Sequence, residues 1–228
     1  GTIERLGFSY EKIKQINPRC IFCQIKGYLP ANPFYKYGAM DATVQATSGL
    51  ASQTGLEGSP PVISNVALAD VPSGDYAMTG IITALFQRER TGRGQHVEIY
   101  RQEVALSYSR LSFANTTYKR GVPMQFKGAN GPKNLFRCKP RYEGDKNNYV
   151  FIAVRDTPGQ RMWRDFYDIM GRMDLFDDPR YATGPTRSRN KELEEEITKR
   201  TIQHDKLDIM KWLSERGVTA GAVLSMEN

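Results

Sequence analysis

The sequence predicts a mixed α/β fold, with a parallel α/β large-domain portion followed by a smaller α+β domain. Up to about residue 115, short apolar segments alternate with stretches of helical period, which is the order of parallel layering. Residues 113–146 then form a basic belt, with 8 Lys/Arg against 2 Asp/Glu and many Gly, Pro and Asn. Beyond the belt the order changes to two adjacent strand-like runs followed by three helix-like ones. With 228 residues, 39% hydrophobic and 25% charged, the composition is that of an ordinary globular chain, long enough for one large or two modest domains. The expected division is residues 1–115 for the α/β portion, 116–126 for a linker and 127–228 for the small domain.

Ser9 is placed as the N-cap of a short helix that Asn17-Pro18 stops. Cys20–Ile25 is rich in Ile, Phe and Cys and reads as a buried strand, ended by Gly27-Tyr28. Leu29–Gly38, with two prolines and three aromatics, reads as a loop, and Met40–Gly49 as a helix before the Gly/Ser/Pro-rich stretch Gly49–Pro61. Val62–Leu68 is β-compatible. Pro72–Arg90 has Tyr76, Ile81, Ile82, Leu85 and Phe86 at helical spacing, and Pro72 suits a first turn, so Asp70 falls at or just before the helix start. Thr91–Gly94 breaks this helix, Gln95–Tyr100 reads as a strand and Gln102–Asn115 as a further helix. After the belt, Phe136–Lys139 and Tyr149–Val154 read as an antiparallel pair around Glu143-Gly144-Asp145. Helices are expected at Gly159–Met170, Lys191–Thr201 and Lys206–Arg216, the last capped by Gly217, with a further strand starting in Val218–Leu224.

Several function classes lose their support at this level. No apolar run reaches the roughly 20 residues of a membrane-spanning helix, and Gly1–Tyr10 lacks the apolar core of a signal peptide. The chain therefore reads as soluble and intracellular, cytoplasmic with an organelle matrix as the alternative, and with no membrane partner. Cys20, Cys23 and Cys138 are an odd set for a disulfide framework. Cys20 and Cys23 form a C-x-x-C pair, but on a strand residues three apart face opposite sides and cannot share a metal, so no metal is expected. His96 and His204 lie outside any nucleophile or ligand spacing. Gly92-Arg93-Gly94 follows a helix and precedes a strand, the reverse of a dinucleotide fingerprint.

Net charge is +7, unevenly spread: residues 1–112 carry 11 Lys/Arg against 9 Asp/Glu, and residues 113–228 carry 21 against 16. The basic belt fits a nucleic acid, a phosphorylated cofactor or a solvated linker. It contains no recognisable nucleic-acid reading motif, and no nucleic-acid partner is expected. What remains as chemistry is the carboxylate of Asp70, expected where a β-segment meets a helix N-terminus, the place where α/β sheets gather ligands. A helix N-terminus favours negative charge by roughly 0.3–1 kcal/mol, which suits a nucleophilic carboxylate. It equally suits a plain helix cap, and both roles stay open on spacing alone.

Short stretches in a shared order resemble the class III CoA-transferases, the family of the formyl-CoA and carnitine-CoA transferases and of the α-methylacyl-CoA racemases. They are Arg5-Leu6-Gly7-Phe8, Asn17-Pro18-Arg19, Gly27-Tyr28, Ser48-Gly49-Leu50, Thr54-Gly55, Gly58-Ser59-Pro60-Pro61-Val62, Ala69-Asp70 with Gly74, Gly80-Ile81, Arg90–Gln95 and Arg216–Val223. The resemblance implies a partial nucleotide-binding-like large domain. It also implies an excerpt of a longer chain, starting midway through that domain and stopping near the end of the small one.

By the same resemblance, Asp70 is the nucleophile that exchanges CoA between an acyl-CoA and a small carboxylic acid through mixed anhydrides and an aspartyl-CoA thioester. Arg5 is implied to meet the CoA phosphates, and Gly38, Ala39, Met40 and Asp41 to line the coenzyme A, with Asp41 bordering the active centre. A homodimer is implied for the intact protein. Two departures stand out. Formyl-CoA transferase has a lysine at the position of Gly38, so that contact is either lost here or taken over by Lys36, and its glycine run is reduced here to Gly128–Pro132. The racemases need a histidine where this chain has Met40, which cannot exchange a proton. Racemase chemistry and a basic nucleic-acid-binding module are the alternative functions.

Overall fold

A computed structural model describes residues 2–55, 59–110, 112–114, 135–155, 158–187 and 190–226. The chain divides into two compact units, Gly1–Phe126 and Lys127–Asn228. The reduced glycine run at 128–132 lies outside the described residues.

The first unit opens with two short helices, α1 (Thr2–Arg5) and α2 (Tyr10–Ile16). Its sheet has two strands, β1 (Phe22–Lys26) and β2 (His96–Tyr100), paired in parallel from Phe22↔His96 to Lys26↔Tyr100. Parallel pairing requires a crossover, and the chain between the strands supplies α3 (Asp41–Thr47), α4 (Leu50–Gln53) and the long α5 (Asp70–Thr91), which packs on both strands. Directly after β2 comes α6 (Arg101–Tyr108). The expected run to Asn115 is interrupted at Ser109, the C-cap of α6, whose hydroxyl is bonded by Gln53 Nε2 at 3.0 Å; Arg110 and Ser112–Ala114 are helical again, and Asn115 is outside the described residues.

One expected element is absent. Val62–Leu68 is a loop and not a strand, because its backbone groups are bonded by a side chain instead of a neighbouring strand. Gln45 Oε1 accepts from Ser64 N–H at 2.9 Å, while its Nε2 donates to the carbonyls of Ser64 and Val66 at 3.0 and 3.2 Å. The β-branched composition of this stretch mimics a strand without a partner for it. Helix α5 also begins at Asp70, two residues before the expected Pro72.

The second unit is an antiparallel sheet in the order β3 (Leu135–Arg137), β4 (Tyr149–Ala153), β5 (Thr219–Ala222). Strand β5 pairs with β4 and closes the sheet. Between β4 and β5 run α7 (Arg161–Ile169), α8 (Met173–Phe176), α9 (Gly184–Arg187), α10 (Lys191–Thr201) and α11 (Lys206–Glu215). Asn190 and Asp205 cap α10 and α11 through their side chains, and Gly217, at φ +77°, adopts the left-handed turn that ends α11. One apolar core joins Phe136, Val150 and Ile152 of the sheet to Trp163, Phe166, Tyr167, Leu193, Ile197, Ile209 and Leu213 of the helices.

Candidate active site

Asp70 is the first residue of α5, preceded by Ala69 in the capping position, and Ala69 has no side-chain oxygen to cap with. Two of the amides at this helix start are met from elsewhere in the chain. Asp41 Oδ2 accepts from Ala69 N–H at 2.8 Å and from Asp70 N–H at 2.9 Å. The carboxylate that caps α5 is therefore Asp41, and the capping role considered for Asp70 is corrected on this geometry. The Asp70 side chain, 46% exposed, points instead to an ion pair, Oδ1 lying 3.2 Å from Arg101 Nε.

Asp41 is itself held from the opposite side. Its Oδ1 accepts from Gln45 Nε2 at 2.5 Å, one turn along α3. Burial alone would raise its pKa; the bond from Gln45, the amides of Asp70 and Ala69 and the charge of Arg101 outweigh that and hold it below the usual carboxylate range. An ionised Asp41 is what a two-amide cap requires. Gln45 is only 1% exposed and fastens both Asp41 and the 64–66 loop leading into α5.

Arg101 stands at the carboxyl end of β2, as the first residue of α6, and donates through Nη1 to the carbonyl of Ala39 as well as pairing with Asp70. Ala39 in turn packs against the small buried cluster Val44, Ala69 and Ala105. The loop can come this close to β1 because of Gly27: a Cβ there would lie 2.1 Å from Ala39 Cβ. Met40 precedes α3 and is 74% exposed. Gly38 is exposed with open space where a side chain would be, so nothing steric forbids a lysine there.

Asp70 and Ala39 thus meet at Arg101, and Asp41 joins them through the Asp70 amide, with Met40 and Gly38 alongside in sequence. Arg5 is placed differently. It lines a cavity of about 1020 Å³ with Phe22, Gln24, Lys26, Tyr35, Lys36 and Tyr37, and none of residues 38–41 or 70 is among that lining. Lys26 there is paired with Glu98, whose pKa is lowered chiefly by that bond, while the partly buried thiol of Cys23 is pushed up by desolvation. Among the described residues no group of three or more His, Cys, Asp or Glu is arranged to hold a metal, and no helix is long and apolar enough to cross a membrane.

Residues 1–228, the whole chain, match the model of CoA-transferase family III. The chain belongs to this family. Among curated relatives it is 31% identical, over 248 aligned residues, to the formyl-CoA:oxalate CoA-transferases of Escherichia coli O157:H7 and Shigella dysenteriae serotype 1. The match takes in 100% of this chain and 58% of each relative, so the chain spans well under two thirds of their length. Among solved structures, a CAIB/BAIF family protein from Brucella suis superposes with a TM-score of 0.85 at 26% identity, over 100% of this chain and 58% of that one. Rv3272 from Mycobacterium tuberculosis, at 23% identity over 100% and 58% of the two chains, shares the fold with a TM-score of 0.76. The mixed α/β architecture with its parallel pair is accordingly the class III CoA-transferase fold, represented by a part of it.

Sequence reasoning did not find Arg101 or Gln45. The first had a signal, since a residue directly after a parallel strand sits at the sheet edge where ligands gather. Gln45 lies four residues after Asp41, on the same helix face, but nothing in the sequence marks its burial.

Proposed function

We propose that the full-length protein carrying this segment is a CoA-transferase that exchanges CoA between an acyl-CoA and a small free carboxylic acid, with Asp70 as nucleophile. The observation that carries the reading is the division of labour between two aspartates. Asp41 takes the Ala69 and Asp70 amides, which leaves the Asp70 carboxylate at a helix N-terminus, half exposed and paired with Arg101.

An Asp70 oxygen attacks the thioester carbonyl, the C–S bond breaks and CoA leaves as thiolate, giving a mixed anhydride. The thiolate attacks the Asp70 carbonyl carbon and expels the donor's carboxylate, leaving an aspartyl-CoA thioester. The acceptor acid then runs the two steps in reverse. Splitting the transfer in this way avoids direct attack of one weak carboxylate nucleophile on a distant thioester. The cavity beside Arg5 suits the coenzyme: Arg5 and Lys36 for its phosphates, Tyr35 and Tyr37 as flat surfaces for its base. Lys36 then does what lysine at the position of Gly38 does in formyl-CoA transferase. Gly38, Ala39, Met40 and Asp41 line the path between that cavity and Asp70, and the protein works as a homodimer, without metal or nucleic acid, in the cytoplasm. Met40 offers no proton to an α-carbon, which sets the racemase reading behind this one.

The test is Asp70→Asn in the full-length protein. Transfer should collapse while folding and acyl-CoA binding survive, and hydroxylamine added to wild-type protein with acyl-CoA should modify Asp70. Full activity in Asp70→Asn, without deamidation back to Asp, would overturn the reading. A panel of short-chain and dicarboxylic acyl-CoA donors against free acids identifies the substrates.

A further inference from the structure

We propose that Arg101 receives the free carboxylic acid: its guanidinium holds the Asp70 carboxylate when the site is empty and passes to the carboxylate of the departing or incoming acid once Asp70 is acylated. This rests on Asp70 being the nucleophile. Arg101 is fixed at both ends of its reach, by its place directly after β2 and by its bond to the Ala39 carbonyl, so its fork cannot follow Asp70 far. Its side chain is 28% exposed, shielded enough to direct an ion pair and open enough for a small acid to reach.

Charge conservation supplies the rest. The site begins with one negative charge on Asp70. When an Asp70 oxygen bonds to the acyl carbon, that charge leaves on the CoA sulfur; when the sulfur bonds to Asp70, it leaves on the donor's carboxylate. At no stage does the negative charge disappear, and no external oxidant, reductant or proton is needed. A cation 3.2 Å from Asp70 loses its partner each time Asp70 becomes an acyl group, and the acid carboxylate is the anion of matching shape. Guanidinium suits this because it stays charged and binds carboxylates through paired N–H donors. A lysine would hold Asp70 but would orient an incoming acid less well.

The experiment uses the full-length protein with Arg101→Met, Arg101→Lys and Arg101→Ala, alongside wild type. KM is measured separately for acyl-CoA and for the free acid, with hydroxylamine trapping of Asp70 as a second readout. Arg101→Met should raise KM for the acid about tenfold or more and leave KM for acyl-CoA within about twofold. Arg101→Lys should fall between, and added guanidinium should restore part of the acid-dependent rate of Arg101→Ala. An unchanged acid KM in Arg101→Met overturns the proposal. So does an equal rise in both KM values with no response to guanidinium, which is the signature of an arginine that merely ties the Ala39 loop to α5. Absence of Asp70 trapping in wild type is a different failure: it removes the nucleophile, and this proposal with it, whereas normal trapping with indifferent Arg101 variants removes this proposal alone.

Discussion

In the second unit Trp163, Phe166, Tyr167, Leu193, Ile197, Ile209 and Leu213 are all at most 2% exposed and meet in one core, whereas the first unit's cluster beside the site is Val44, Ala69 and Ala105. The first unit meanwhile leaves Leu6, Phe8, Val66, Val71, Ile82 and Phe86 more than half exposed. Three small buried residues supply little hydrophobic free energy, at roughly 25 cal/mol per Å². What orders the site is a lattice of buried and half-buried polar groups running from Gln45 and Asp41 to Asp70, Arg101 and Ala39. The second unit is held by non-directional packing, the site by directional bonds that fix atoms in place. Directional bonds hold the Asp70 carboxylate and its Arg101 partner in one geometry.

Truncating the packed unit should have the largest effect on stability. Phe166→Ala, at 1% exposure, should cost about 3–5 kcal/mol, read by denaturant unfolding of the second unit. A cost below about 1 kcal/mol would mean that packing does not hold the second unit. Breaking the polar lattice comes next: Gln45→Leu keeps the volume but strands Ser64 N–H and two carbonyls, costing about 1–3 kcal/mol. Hydrogen exchange should show the loss at the Ser64 amide, with the second unit's amides unmoved.

Asp41 adds a pH dependence of known sign. Its pKa is depressed in the folded chain, so its contribution is fully present above the ordinary value of 3.8 and is lost as pH falls through the lower folded value. Protection of the Ala69 and Asp70 amides, corrected for intrinsic exchange, should fall in that acid range, and Asp41→Asn should flatten the dependence. Asp205, bonded by Arg141, is depressed too, so whole-protein acid unfolding would not separate the two units, while these two amides do. The smallest effect is expected at the surface. Arg19 and Glu89, 55% and 73% exposed at 4.0 Å, form a pair whose removal in Glu89→Gln should change stability by no more than about 0.5 kcal/mol.

Elements whose formers and stop signals lie in their own residues were legible, although β1, expected as a buried strand, is only partly covered, with Ile25 43% exposed. Strands β1 and β2 and helices α10 and α11 fall within a residue or two of the expected bounds, because each carries its strand- or helix-forming residues and its stop signal locally. Val62–Leu68 was misread because strand character depends on a neighbour, and here the neighbour is an amide of Gln45, 19 residues earlier. The site divides in the same way. Asp70 announces itself by lying at a helix start, and Asp41 entered through the family resemblance. Arg101 joins two segments 31 and 62 residues away, a relation of tertiary structure that no local pattern encodes.

The contact of Gly27 with Ala39 means that the chain leaves β1 and returns to the same spot before entering α3, enclosing residues 28–38 as an excursion whose two ends coincide. Tyr35, Lys36 and Tyr37, which line the cavity, ride on that excursion, while Asp41 stands just outside its closing point. The length and composition of the wall are thereby uncoupled from the position of Asp41 and of the α5 start. Lengthening a closed loop costs little, about 0.6 kcal/mol per doubling. A protein built this way can reshape the cavity wall by editing the excursion between Leu29 and Tyr37, without moving Asp41 or the helix start that it caps.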